Sequence, residues 1–302
     1  MASARSPQGS KGVQGVQGAA ATRIGLVAIA LWATLALLTA FTGRVPPFLL
    51  TALTFAVGGM VGLGAALAGP GLKVLVQRPL AYLHGVGGLF GYHFLYFAAL
   101  KYAPPAEAGL INYLWPLLIV LLSATLPGGG LRRVHVVGAL LGFAGTALLL
   151  LGKGGISGIE PAYVPGYLAA FACAFIWAIY SVASRHFSDV PTAAVAGFCL
   201  VTAVLAALCH LIWETTVWPA GAGEWAAVLA LGLGPVGLAF YAWDIGMKRG
   251  DVRLLGVAAY AAPVLSTLLL VLAGFAAPSW TLALACLCIV GGAYVATRRS
   301  SR

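Results

Sequence analysis

Residues 101–116 read KYAPPAEAGLINYLWP, and residues 248–263 read KRGDVRLLGVAAYAAP. At an offset of 147, Lys101 falls on Lys248, Gly109 on Gly256, Tyr113 on Tyr260 and Pro116 on Pro263, and further along Gly145 falls on Gly292. Each stretch leads into an apolar run with a proline near its middle. The offset is close to half of the 302-residue chain, so it predicts two related halves.

Ten apolar runs surround these stretches, at about 24–42, 48–68, 79–101, 104–125, 134–151, 163–187, 190–213, 224–247, 252–272 and 278–297. Each is near the roughly 20 residues with which a helix crosses a bilayer. Backbone polar groups inside a bilayer must be satisfied within the segment, so runs of this length are expected as helices. Pro79, Pro104–Pro105, Pro165, Pro191 and Pro278 stand where a first helical turn tolerates a missing N–H. The expected fold is an all-α membrane protein with ten transmembrane helices. Five spans in each half is an odd number, so the halves point in opposite directions. Inverted repeats of this kind surround a central cavity near the bilayer midplane. The expected units are residues 1–22 as a disordered cytoplasmic tail, 23–151 as the first five-helix repeat and 163–297 as the second.

Composition agrees with this reading. Hydrophobic residues make up 61% and charged residues 8% of the chain, with a mean hydropathy of +0.99. Soluble domains carry about 25% charged residues. Disorder, collagen and secreted disulfide scaffolds are excluded by the same figures. The net charge of +10 sits between the apolar runs, so it speaks of membrane orientation rather than nucleic acid. With ten spans, Arg5, Lys11, Arg23, Lys73, Arg78, Arg132, Arg133, Arg185, Lys248, Arg249, Arg253, Arg298, Arg299 and Arg302 fall on one side. Only Arg44, Lys101 and Lys153 fall on the other. The first side, which holds both termini, is therefore expected in the cytoplasm. The cysteines lie inside apolar runs without metal-ligand spacing and read as small hydrophobes.

Polar residues in spans are expected to face away from lipid. At about 100° per residue, several share an arc on their helix. These are Trp32, Ala36 and Thr39 in the first span, and Tyr82, Tyr92, His93 and Tyr96 in the third, with His84 on the opposite face. Asn112, Trp115, Pro116 and Ser123 share one in the fourth span; Cys173, Trp177, Tyr180, Ser181 and Ser184 share one in the sixth. In the eighth span the arc holds Gly234, Gly237, Tyr241, Asp244 and Lys248, while Trp243 reads as pointing elsewhere. Arg253, Gly256, Tyr260, Pro263 and Thr267 share an arc in the ninth. From these arcs the candidate substrate-binding residues are Tyr82, His93, Tyr96, Asn112, Trp115, Trp177, Tyr180, Ser181, Tyr241, Asp244 and Tyr260. Bonding between helices would also turn such residues inward; the aromatic richness favours a cavity for a molecule with an apolar or aromatic part.

Pro116 and Pro263 are candidate hinges, with static kinks as the competing reading. Asp244 and Lys248, four apart on one face, read either as an intrahelical ion pair or as a proton-coupling carboxylate with a basic neighbour. Gly232, Gly234 and Gly237 spell GxGxxG inside a span, without the strand and βαβ unit that a dinucleotide site needs. No protease, hydrolase or P-loop pattern is present. The chain is therefore expected to be no enzyme and to need no cofactor or metal.

Leu110-Ile111-Asn112-Tyr113-Leu114-Trp115-Pro116, the stretch GYHFLYFAALKY at 91–102 and FYAWDIGMKRGD at 240–251 resemble EamA-type members of the drug/metabolite transporter superfamily, in particular its aromatic amino acid exporters. The resemblance runs over about residues 23–297. It implies a basket-like bundle in a bacterial inner membrane that exports aromatic and other neutral amino acids by alternating access, with helices bending about central points. The expected partners are these small molecules and the lipid bilayer, with no nucleic acid. Gly and Ala on many faces allow a homo-oligomer. Efflux of other small metabolites or cationic drugs is the alternative within the superfamily. A membrane enzyme or scaffold fits less well, since catalytic groups are missing and a scaffold needs no interior aromatic arcs.

Overall fold

The structure, a computed structural model, describes residues 7–127, 130–151, 160–275 and 277–297. Arg5, Lys153, Arg298, Arg299 and Arg302 of the charge partition lie outside the described residues, as do residues 1–6 of the expected tail. The described residues form helices and connecting turns without strands.

The chain runs through α1 (Pro7–Ala33), α2 (Leu35–Ala40), α3 (Pro47–Ala68), α4 (Pro79–Tyr102), α5 (Pro105–Asn112), α6 (Trp115–Leu122) and α7 (Arg133–Leu151). It continues through α8 (Val164–Ala183), α9 (Val195–Trp213), α10 (Ala222–Leu233), α11 (Ala239–Arg249), α12 (Val252–Ala258), α13 (Ala261–Leu272) and α14 (Trp280–Thr297). Prolines set several starts: α3, α4 and α5 begin on Pro47, Pro79 and Pro105, and Pro165 is second in α8. Pro191 instead precedes a short 3₁₀ turn, and Pro278 lies two residues before α14.

Seven stretches are long and apolar enough to cross a membrane: Gln17–Ala40, Pro47–Ala68, Glu107–Thr125, Pro161–Phe187, Thr192–Trp213, Ala222–Arg249 and Val252–Leu272. Arg133–Leu148 and Trp280–Ala296 are shorter apolar helices. α4 has 24 residues, but His84, His93 and its tyrosines dilute its apolar character. Large apolar side chains such as Leu211, Leu272 and Trp280 project outward, as lipid-facing residues do.

One expectation is corrected here. Residues 7–22 are not a disordered tail, because α1 starts at Pro7 and runs unbroken into the apolar segment. After Pro7 the next proline is Pro46, and the intervening Gln, Ala and Lys are tolerated or favoured in a helix. The end of this extension is tied down: the Thr22 hydroxyl accepts from Asp251 N at 2.8 Å and donates to Gly18 O at 2.8 Å.

Four long stretches are interrupted, the first at Thr34 between α1 and α2. The α5–α6 stretch breaks at Tyr113–Leu114 and α12–α13 at Ala259–Tyr260, each about one turn before a proline. A proline ring clashes with the carbonyl four residues earlier and offers no N–H, so the ladder opens there. Leu117 N, freed from that ladder, donates instead to the Tyr260 hydroxyl at 3.1 Å, so each break leans on the other. Between α10 and α11, Gly234–Leu238 is a π-helical turn that contains Pro235.

The principal packing pairs are α1 with α11, α3 with α9, α4 with α8 and α7 with α14. Glycines set how closely these and neighbouring elements approach. A Cβ on Gly58 would lie 2.8 Å from Gly237 Cα, one on Gly246 2.8 Å from Gly25 Cα, and one on Gly138 2.6 Å from Gly292 O. Gly232 and Gly237 of the GxGxxG pattern thus serve close packing against α3, since Gly232 meets Val57 and Gly237 meets Gly58. Gly58→Leu is expected to destabilise the bundle by about 3 kcal/mol, because the neighbour is backbone and has no rotamer with which to yield. Gly64 on the same helix has open space around it. Gly64→Ala should therefore melt like wild type in detergent, and equal melting of Gly58→Leu would show that α3 is free to shift.

Candidate functional site

An aromatic chamber forms where α1, α4, α6, α8 and α11 meet. Trp32 of α1 stands at its centre, with ring centroids 5.0 Å from Trp243, 5.7 Å from Trp177, 6.3 Å from Trp115 and 6.2 Å from Phe240. Its Nε1–H donates to Pro235 O at 3.0 Å, a carbonyl in the π-helical turn. Trp243 Nε1–H donates to the Ser181 hydroxyl at 3.0 Å. Both indole donors are thereby satisfied, as buried tryptophans require. Phe55 stacks on Phe240 at 5.4 Å and meets His93 edge-on at 5.0 Å.

A polar rim borders the chamber. Asn112 Nδ2 donates to the Tyr92 hydroxyl at 3.1 Å, and the Cys173 thiol reaches Asn112 Oδ1 and Tyr92 O, each at 3.3 Å. The Tyr92 ring lies 5.2 Å from Trp177 and stacks on Tyr96 at 6.0 Å. Asn112 is the last residue of α5, directly before the break that Pro116 causes. Its amide therefore sits where the backbone is least regular.

Residues 90–98 of α4 are all half-buried. Tyr92, His93 and Tyr96 among them face the aromatic cluster. Toward Arg78 the interior is closed. Lys248 Nζ lies 2.9 Å from Asp244 Oδ1 and donates to Val190 O at 2.8 Å, and the Thr192 hydroxyl donates to Asp244 Oδ2 at 2.6 Å. Both charged side chains are 4% exposed. His84 stacks on Phe187 at 4.3 Å and on Tyr180 at 5.0 Å, and bonds the Ser184 hydroxyl.

The chamber gathers His93, Tyr96, Asn112, Trp115, Trp177, Tyr180 and Ser181 from the sequence-based candidates. Four others stand elsewhere. Tyr82 donates to Leu75 O and packs on Phe198 at the arginine-rich end. The Tyr241 hydroxyl donates to Gly58 O at 3.2 Å. Asp244 belongs to the buried ion pair. Tyr260 is fully buried in a separate cluster with Val120, Val257 and Ile289, where its hydroxyl serves Leu117 N. A helical arc gives a direction on one helix but not the neighbour that lies there.

Trp243 corrects the expectation that it points elsewhere: it is fully buried in the chamber wall. α11 is buried nearly all round, from Ala239 and Phe240 to Met247 and Lys248, so no single arc is its inner face. Phe240 carries no polar group that would mark its face as inward. Trp32 did stand on an inward arc.

Comparison with known proteins follows the same lines. The pattern of the EamA-like transporter family matches residues 22–151 and again 164–298. The chain belongs to that family. EamA-like proteins are transporters, so the chain is a transporter and not an enzyme, as expected from its residues. Among similar proteins is one named aromatic amino acid exporter YddG from Ancylobacter novellus, 69% identical over 93% of this chain and 98% of its own. A protein of the same name from Salmonella typhimurium is 30% identical over 82% of this chain and 87% of its own. A crystal structure 69% identical in sequence superposes with a TM-score of 0.89, covering 92% of this chain and 96% of the other.

Proposed function

We propose that this EamA-like transporter exports aromatic and other neutral amino acids across a bacterial inner membrane by alternating access. The observation that carries the proposal is the aromatic chamber bordered by Asn112, in a chain 69% identical to a named aromatic amino acid exporter. An aromatic side chain would lie against the faces of Trp32, Trp115 and Trp177. A zwitterion also needs both charges compensated. The Asn112 amide and the Tyr92 hydroxyl are donors for a carboxylate. The faces of Tyr96, Trp177 and Tyr180 suit an ammonium group.

Ten spans in two inverted repeats, 23–151 and 163–297, complete the reading. In support, exchanging each span for the one five places along the chain maps the packing pairs onto themselves. The pair α1 with α11 becomes α8 with α4, and α3 with α9 and α7 with α14 map to themselves. At the 147 offset, the contact of Gly138 with Gly292 O has its mate in that of Gly145 with Ala285 O. Pro116 and Pro263 are then hinges, each beside a break in an equivalent span. The arginine-rich end faces the cytoplasm by the charge partition, and the buried Asp244–Lys248 pair closes the interior on that side. Efflux of cationic drugs fits less well, because Asp244 already has its cation at 2.9 Å.

The test is uptake of labelled amino acids into liposomes holding purified protein, with and without a pH gradient. Saturable uptake of phenylalanine, competed by tryptophan, is expected. No uptake of any amino acid by folded protein would end this proposal and leave another metabolite as cargo.

A further inference from the structure

A cavity of about 880 Å³ opens at the arginine-rich end. Gly18, Thr22, Arg23 and Leu26 of α1 line one side, and Ser123, Leu126 and Pro127 after α6 another. Arg185 and the 249–254 segment close it. Four guanidinium groups thus surround one space: Arg23, Arg185, Arg249 and Arg253.

The chain neutralises them only in part. Its seven acidic residues are Glu107, Glu160, Asp189, Glu214, Glu224, Asp244 and Asp251. Asp189 is paired with Arg78, Asp244 with Lys248 and Glu214 with His210. Glu107 bonds the Tyr167 hydroxyl. Glu224 caps Ala220 N, and Glu160 lies just before Pro161, in the link to α8. Only Asp251 lines the cavity, and its Oδ1 accepts from Arg253 N and Leu254 N, capping α12. Among the described residues, none of the four arginines has a carboxylate oxygen within ion-pairing distance. Arg185 donates to Gly250 O, and its buried Nε has no partner. A guanidinium offers five donors that suit the paired oxygens of a carboxylate or phosphate. Leu26, Leu126, Val252 and Leu254 add apolar wall.

The position links this cavity to the aromatic chamber. Leu26 precedes Trp32 by six residues of α1, and Ser123 follows Trp115 by eight along the α6 stretch. At 1.5 Å per residue the two spaces are about 10 Å apart along the same two helices. We infer that the cavity is an oxyanion-binding site at the cytoplasmic mouth of the transport path, taking a carboxylate or phosphate that carries an apolar group. The orientation and the path rest on the proposed function; the charge imbalance does not. Two sources share this chemistry: the carboxylate of a substrate waiting to be admitted, and the phosphate of an anionic lipid of the inner leaflet.

The test uses purified full-length protein in phosphatidylcholine nanodiscs and labelled 3-phenylpropionate, which has the carboxylate and ring without the ammonium. Saturable binding is expected in wild type, uncompeted by 2-phenylethylamine. The double variant Arg23→Gln/Arg253→Gln removes two guanidinium charges and keeps a polar side chain at each position, and it should bind about tenfold more weakly. Displacement by phenylalanine would name the substrate as source; displacement by phosphatidylglycerol in the disc would name the lipid. No saturable binding in wild type, or equal binding in the double variant at equal thermal stability, would overturn the inference. Phenylalanine uptake by liposomes, run in parallel, separates the two ideas. Uptake with no oxyanion binding removes this site alone; oxyanion binding with no amino acid uptake removes the proposed cargo alone.

Discussion

Lys248→Met is expected to lower stability by about 3–5 kcal/mol, one of the largest effects a single substitution can have in this chain. The Asp244 carboxylate would keep only the Thr192 hydroxyl in a site that is 4% exposed. Asp244→Leu should cost a similar amount, since it leaves a buried ammonium with the Val190 carbonyl alone. Replacing both residues removes two desolvated charges together, and the double variant should return to within about 1 kcal/mol of wild type. Thermal or denaturant unfolding in detergent measures all three. The pair joins α11 to the link between α8 and α9 through Val190 and Thr192, so it also seals the arginine-rich end. A single variant that unfolds like wild type would mean that water reaches the pair and that it seals nothing.

Much of this architecture is legible in the residues. The apolar runs end within a few residues of the helices, because prolines and glycines punctuate both, as at Pro47, Pro79 and Ala68–Gly69. Pro116 and Pro263 mark the helix breaks, since the missing N–H acts locally. The chamber is legible in part. Trp177 and Asn112 stand on inward arcs, but Trp243 and Phe240 do not announce themselves on a helix buried all round. Tyr260 shows the opposite failure, a correct inward direction with a neighbour that only the fold reveals. The helical extension over residues 7–22 was masked by its Gly and Gln content, which composition alone reads as disorder. Its anchor, Thr22 against Asp251, spans 229 positions of sequence.

Trp177→Ala is expected to cut aromatic amino acid uptake by about tenfold or more while the protein still inserts. The ring touches Trp32, Tyr92, Trp115, Tyr180, Phe240 and Trp243, more of the chamber than any other side chain there. Its loss also opens a cavity costing about 3–5 kcal/mol, so stability alone does not prove a binding role. Phe198→Ala supplies the control. Phe198 is equally buried but packs on Tyr82 and Gly85, away from the chamber. It should lose stability like Trp177→Ala and retain more uptake per folded molecule. Asn112→Asp then isolates charge from shape. The two side chains are nearly isosteric, yet Asp removes the donor to Tyr92 and places a carboxylate where the substrate's own is proposed to lie. Repulsion between like charges in this partly closed space should reduce uptake more than Asn112→Ala does. Equal uptake in Asn112→Ala and Asn112→Asp would move the carboxylate away from Asn112. Wild-type uptake in every chamber variant would move the substrate out of the chamber altogether.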